Sequence, residues 1–150
     1  MNHSMLDLPA NQLTQFERSN LSRSQYRLWL SQQAAGNVPL DSMAMVFFFG
    51  GTIDPERFSA ALHELVQRSD SLRTIISVKD GIPYRSQRKT NATESTLVDL
   101  SSSATSRASV LDWAYERVQK PFNPEISLFD SVLIRMPQDR WAWYFNQPLQ

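Results

Sequence analysis

The run Ser42 to Phe49, SMAMVFFF, constrains this chain more than any other segment. It is apolar at both alternating sets of positions, so it reads as a strand buried on both sides and central in a sheet. Both faces of such a strand need covering layers, and the flanking sequence offers helices. The apolar stretch itself, Met43 to Phe49, is too short for a bilayer crossing, which takes about 20 residues.

The remaining elements follow from period and punctuation. Ser22 with Gln25 three residues on forms a capping box, and Leu21 with Tyr26 forms the hydrophobic staple around it. Tyr26, Trp29 and Leu30 continue an apolar helical face, and Gly36 ends it. Gly50-Gly51 breaks the first strand. Asp54-Pro55 then opens an amphipathic helix carrying Phe58, Ala61, Leu62, Leu65 and Val66 and ending near Arg68. Leu72 to Val78 reads as a strand, Asp80-Gly81 as a hairpin turn, and Ile82 to Gln87 as the return strand, with Pro83 marking an edge. Arg88 to Glu94 reads as a loop and Thr96 to Leu100 as a short strand. Ser101, Ser102 and Ser103 offer a cap for a third helix with a buried stripe of Leu111, Ala114, Tyr115 and Val118, stopped by Pro121. Leu128 to Met136 and Trp141 to Gln147 are two further strands joined by Pro137-Gln138-Asp139. Three helices and about six strands predict an α/β fold, a mixed and mainly antiparallel sheet covered by helices. Residues 1–20 read as an N-terminal tail and 21–150 as the folded unit.

Composition excludes several functions. Fifteen basic and fifteen acidic side chains give a formal net charge of zero, against a nucleic-acid or anionic-membrane surface. The chain has no Cys, which removes disulfides, thiolate metal sites and a cysteine nucleophile. The first twenty residues lack the charged start and apolar run of a secretory signal, so the chain reads as a cytoplasmic domain. Its two histidines are His3, in the tail, and His63, on the flank of the second helix's apolar stripe, and neither sits in a triad-like pattern. There is no glycine-rich phosphate loop and no closely spaced carboxylate pair. Arg73, between Leu72 and Thr74, is either an exposed strand arginine or a half-buried one that needs a carboxylate or carbonyl partner. Trp141, Trp143, Tyr144 and Phe145 read as core strand, since no basic stripe accompanies them to make a base-stacking platform.

Three segments in order resemble the condensation domains of nonribosomal peptide synthetases. Ser22-Arg23-Ser24-Gln25-Tyr26-Arg27-Leu28-Trp29 is similar to their opening motif S-x-x-Q-x-x-L-W. Arg68-Ser69-Asp70-Ser71-Leu72-Arg73-Thr74 is similar to their second motif, R-H-E-x-L-R-T, with Ser69 and Asp70 where His and Glu are usual. Pro121-Phe122-Asn123 through Leu133-Ile134-Arg135 is similar to the stretch leading into the active-site strand. The resemblance spans roughly Leu21 to Gln147. It implies one lobe, the N-terminal one, of a two-lobed chloramphenicol-acetyltransferase-like fold with a tunnel between lobes.

The resemblance also implies chemistry. A donor acyl or peptidyl thioester and an acceptor amine, each on the phosphopantetheine arm of a carrier (thiolation) domain, meet in the tunnel, where proximity and a histidine promote amide formation. That histidine belongs to H-H-x-x-x-D-G, which follows the strand equivalent to Trp141–Gln147. Here Pro148 stands where the first His is expected, and Leu149-Gln150 follow. The expectation is a truncated lobe with no catalytic, cofactor-binding or metal-binding residue of its own, inactive alone. Its partners would be carrier domains and a C-terminal lobe, not nucleic acid or membrane. By resemblance, Arg73, Arg68, Gln25 and Trp29 are structural residues near the expected active site. Arg73 would face the lobe interface and order the active-site loop through a salt bridge, its expected partner Asp being absent from this sequence. The alternative reading is a non-catalytic docking module derived from such a lobe.

Overall fold

The computed structural model describes residues 9–39, 42–90 and 94–148. Among them lie five helices, α1 (Ala10–Arg18), α2 (Arg23–Ala35), α3 (Pro55–Arg68), α4 (Asp70–Arg73) and α5 (Arg107–Val118). Six strands accompany them, β1 (Ser42–Phe49), β2 (Thr74–Lys79), β3 (Ile82–Gln87), β4 (Thr96–Asp99), β5 (Asp130–Met136) and β6 (Arg140–Pro148).

β1, β6, β5 and β4 form one sheet in that order, and β2 with β3 forms a separate hairpin. β6 pairs antiparallel with β1 along one edge and with β5 along the other. β4 runs parallel to β5, with α5 as the crossover that a parallel pair requires. The sheet is therefore mixed and mainly antiparallel, as the sequence predicts. Because β6 is buried on both faces, its two alternating sets of side chains build two cores. Ala142 and Tyr144 face Val110 and Ala114 of α5, together with Val132, Ile134 and Met136 of β5. Phe145, flanked by Trp143, faces Leu62 and Val66 of α3 and Phe129. Each fully buried Val, Leu, Ile, Met or Phe among them contributes roughly 1.5–3 kcal/mol.

Several elements stand where the sequence places them. Ser22 and Gln25 make the reciprocal capping box, and Gly36 ends α2 at a φ of 63°. Asp54 caps α3, accepting from the backbone of Glu56 and Arg57. Asp80 and Gly81, at φ of 52° and 75°, form the hairpin turn whose two left-handed residues match the strand twist.

Others differ. SMAMVFFF is not central: β1 is an edge of the sheet, hydrogen-bonded on one side to β6. Val46 and Phe48 pack on the α5 core, but Met43, Met45 and Phe47 are each about two-fifths exposed. Both faces of the run are apolar for different reasons, one packed on the core and one open. α5 begins at Ser106, which forms a capping box with Ser109, and not at Ser101–Ser103. Its buried positions are Val110 and Ala114, while Leu111 and Tyr115 of the expected stripe are 51% and 75% exposed. The sheet covers the face through Val110 and Ala114, about one residue round from the face centred on Leu111 and Tyr115, a choice that apolar spacing alone does not make. The segment read as a tail contains α1, whose Phe16 lies edge-on to Tyr26 with ring centroids 5.3 Å apart. His3 lies outside the described residues.

The strand expected from Leu72 begins at Thr74, because Asp70–Arg73 forms one helical turn. The β2–β3 hairpin is pinned to the body at several points. Asn20 donates to the Arg85 carbonyl at 2.7 Å and accepts from the Arg85 amide at 2.6 Å, standing in for a neighbouring strand. The Ile76 amide donates to the Pro124 carbonyl at 2.9 Å. Beyond the hairpin, Arg88 grips Glu94 with two bonds of 3.1 and 2.9 Å, the side chains only 10% and 3% exposed, and its guanidinium lies over the Phe129 ring. Removing one member of a buried pair strands the other, at a cost of about 3–5 kcal/mol. We expect Glu94→Ala to lower unfolding stability by about that amount, while a joint Arg88→Met, Glu94→Leu replacement costs much less. Urea denaturation of the three proteins checks this, and a loss below about 1 kcal/mol for Glu94→Ala contradicts the buried clamp.

Candidate functional site

The capping box that starts α2 also fixes one wall of a cavity. Gln25 Oε1 accepts from the Ser22 amide at 3.1 Å, and the Gln25 amide donates to Ser22 Oγ at 3.2 Å. The same Oε1 takes a 3.4 Å bond from Arg85 Nη1, linking the helix start to the hairpin. With its start fixed, α2 presents Gln25, Leu28 and Trp29 to a cavity of about 130 Å³. The opposite walls are Thr74 and Ile76 of β2 and Phe122, Pro124 and Leu128 of the segment before β5. Ser42 and Pro148, register partners at the end of the β1–β6 ladder, complete it.

A second cavity, of about 300 Å³, lies at the end of α5 and shares Phe122 with the first. Its lining includes Arg117 and Asp130, joined by two bonds of 2.6 and 3.0 Å, with Lys120 and Asn146. The bond to Asp130 raises the Arg117 pKa, so this guanidinium stays charged. Burial first, and the Asp130 charge second, push the Tyr144 hydroxyl above its ordinary pKa, so it stays protonated at neutral pH. The Tyr144 hydroxyl and Asn146 Oδ1 are both buried, and hydrogen bonding to Asn146 offsets part of that rise.

The four residues singled out from sequence divide. Gln25 and Trp29 line the first cavity. Arg73 is the residue before its wall residue Thr74. It is not an open strand arginine: its Nη2 donates to Asp70 Oδ1 at 2.5 Å, while its Nε is buried without a partner. Asp70, which keeps a carboxylate where the second motif usually has Glu, thus partners Arg73 inside the same helical turn. Arg68 goes elsewhere, to an exposed ion pair with Glu64 one turn back on α3. His63 is half-buried on α3 and lines neither cavity. Among the described residues, no group of three or more His, Asp or Glu is placed to hold a metal ion. Sequence reasoning missed Ser42, Ile76, Leu128 and Pro148 as wall residues, because each reads locally as strand or loop and only the tertiary fold gathers them.

The lobe is thus a mixed sheet with α5 packed on one face and α3 on the other, and two cavities that share Phe122 lie near the end of β6. The family model of the Condensation domain matches residues 17–147, and the chain belongs to that family. Its structure is similar to the starter condensation domain of rhizomide synthetase, with a TM-score of 0.75 and 29% identity, covering 85% of this chain and 30% of that one. The first condensation domain of the calcium-dependent antibiotic synthetase shares the fold, with a TM-score of 0.74 at 19% identity over 86% of this chain and 32% of that one. The fold is therefore chloramphenicol-acetyltransferase-like, and this chain corresponds to one lobe of it. Among curated proteins it is 38% identical over 63 residues to isonitrile lipopeptide synthase of Mycobacterium tuberculosis, covering 42% of this chain and 2% of that protein. It is 35% identical over 65 residues to tyrocidine synthase 3 of Brevibacillus parabrevis, covering 43% of this chain and 1% of that protein. The chain thus spans a small fraction of these relatives and about a third of the structural neighbours.

The reciprocal box makes a specific energetic prediction. Ser22→Ala and Gln25→Ala should each cost about 1 kcal/mol. The double variant should cost clearly less than the sum, because either change breaks the same pair. Urea denaturation of the three variants measures this, and strict additivity contradicts the shared box.

Proposed function

We propose that this chain supplies the N-terminal half of a condensation domain that joins a carrier-bound acyl or peptidyl thioester to an amine acceptor in nonribosomal peptide synthesis. The observation that carries this reading is the pair of cavities at the end of β6, Pro148 lining one and Asn146 the other. Reaction between two tethered substrates needs two approaches to one point, and proximity there supplies most of the rate advantage. The phosphopantetheine arms belong to the carrier domains as parts of the substrates, and this reading gives the chain no resident cofactor. Arg73 is a positioning residue in it: Asp70 holds its guanidinium beside the cavity wall at Thr74.

The sequence of this polypeptide contains no H-H-x-x-x-D-G. The 150 residues alone are therefore inactive in this reading, because half a tunnel offers neither the base nor the opposing wall. The test compares the purified chain with the same chain joined to the second half of a condensation domain that carries the motif. Both receive donor and acceptor thioesters on carrier domains, and the amide product is measured by mass spectrometry. We expect no product from the chain alone and product from the joined protein, with Arg73→Ala lowering the latter's rate. Amide formation by the chain alone, or a folded joined protein that makes none, contradicts the reading.

One observation favours the docking alternative. β1 has a free edge, and on one of its faces Met43, Met45 and Phe47 are each about two-fifths exposed, so this end of the sheet is a ready surface for another protein. A soluble, monodisperse chain that binds an intact synthetase and adds no activity supports this alternative.

A further inference from the structure

We draw no further inference here: the strongest candidate, the open apolar face of the edge strand β1 that carries Met43, Met45 and Phe47, carries nothing because nothing in the structure shows what covers it.

Discussion

Everything in this lobe hangs on β6. It is hydrogen-bonded on both edges and buried on both faces, so its backbone and its two sets of side chains are all committed. Tyr144 and Ala142 seal the core under α5, and Phe145 and Trp143 build the one under α3. A strand so constrained has one register, because a slip of one residue would exchange the two cores. Its far end at Asn146 to Pro148 is therefore a fixed point, and both cavities are arranged around it.

The cavity walls are held by polar devices. The capping box orients α2, Asn20 clamps the hairpin through the Arg85 backbone, and the Ile76 amide bonds the segment before β5. Arg88 and Glu94, nearly out of water, fasten the chain between β3 and β4 against Phe129. Such contacts specify geometry more than they add stability, since burying the charges offsets much of their attraction. The apolar cores contribute the stability and the polar clamps decide where the walls stand. Arg73 shows both roles, partnered by Asp70 within its own turn while its Nε remains buried and unpaired.

Much of this was legible in the sequence wherever the signal was local. Ser22 with Gln25, Asp54 with Pro55, and Asp80 with Gly81 each mark a boundary through backbone chemistry that needs no tertiary partner, and each boundary stands. The failures share a cause. SMAMVFFF reads as central because periodicity reports apolarity, not pairing, and nothing local says that one edge of β1 stays open. Ser101–Ser103 reads as a cap but Ser106 caps α5, and Leu111 and Tyr115 are as apolar as the Val110 that the sheet covers, so spacing alone picks the wrong flank. The motif-bearing residues Gln25, Trp29 and Arg73 fall at or beside the first cavity, whereas Arg68 serves only an exposed pair. The cavity itself had no sequence signature, because Ser42, Ile76, Leu128 and Pro148 meet only after the sheet and hairpin have docked.

The central claim, that β6 is the fixed member around which the lobe and its cavities are organised, is tested most directly by native-state amide hydrogen exchange. Amides paired between the inner strands open only with the whole fold, and so report the global unfolding free energy. The account predicts that Ala142 to Phe145 and Val132 to Ile134 exchange slowest of all, with the β2–β3 hairpin and α1 exchanging faster. If the amides of β6 exchange as fast as those of the hairpin, β6 does not hold the lobe together and the account fails.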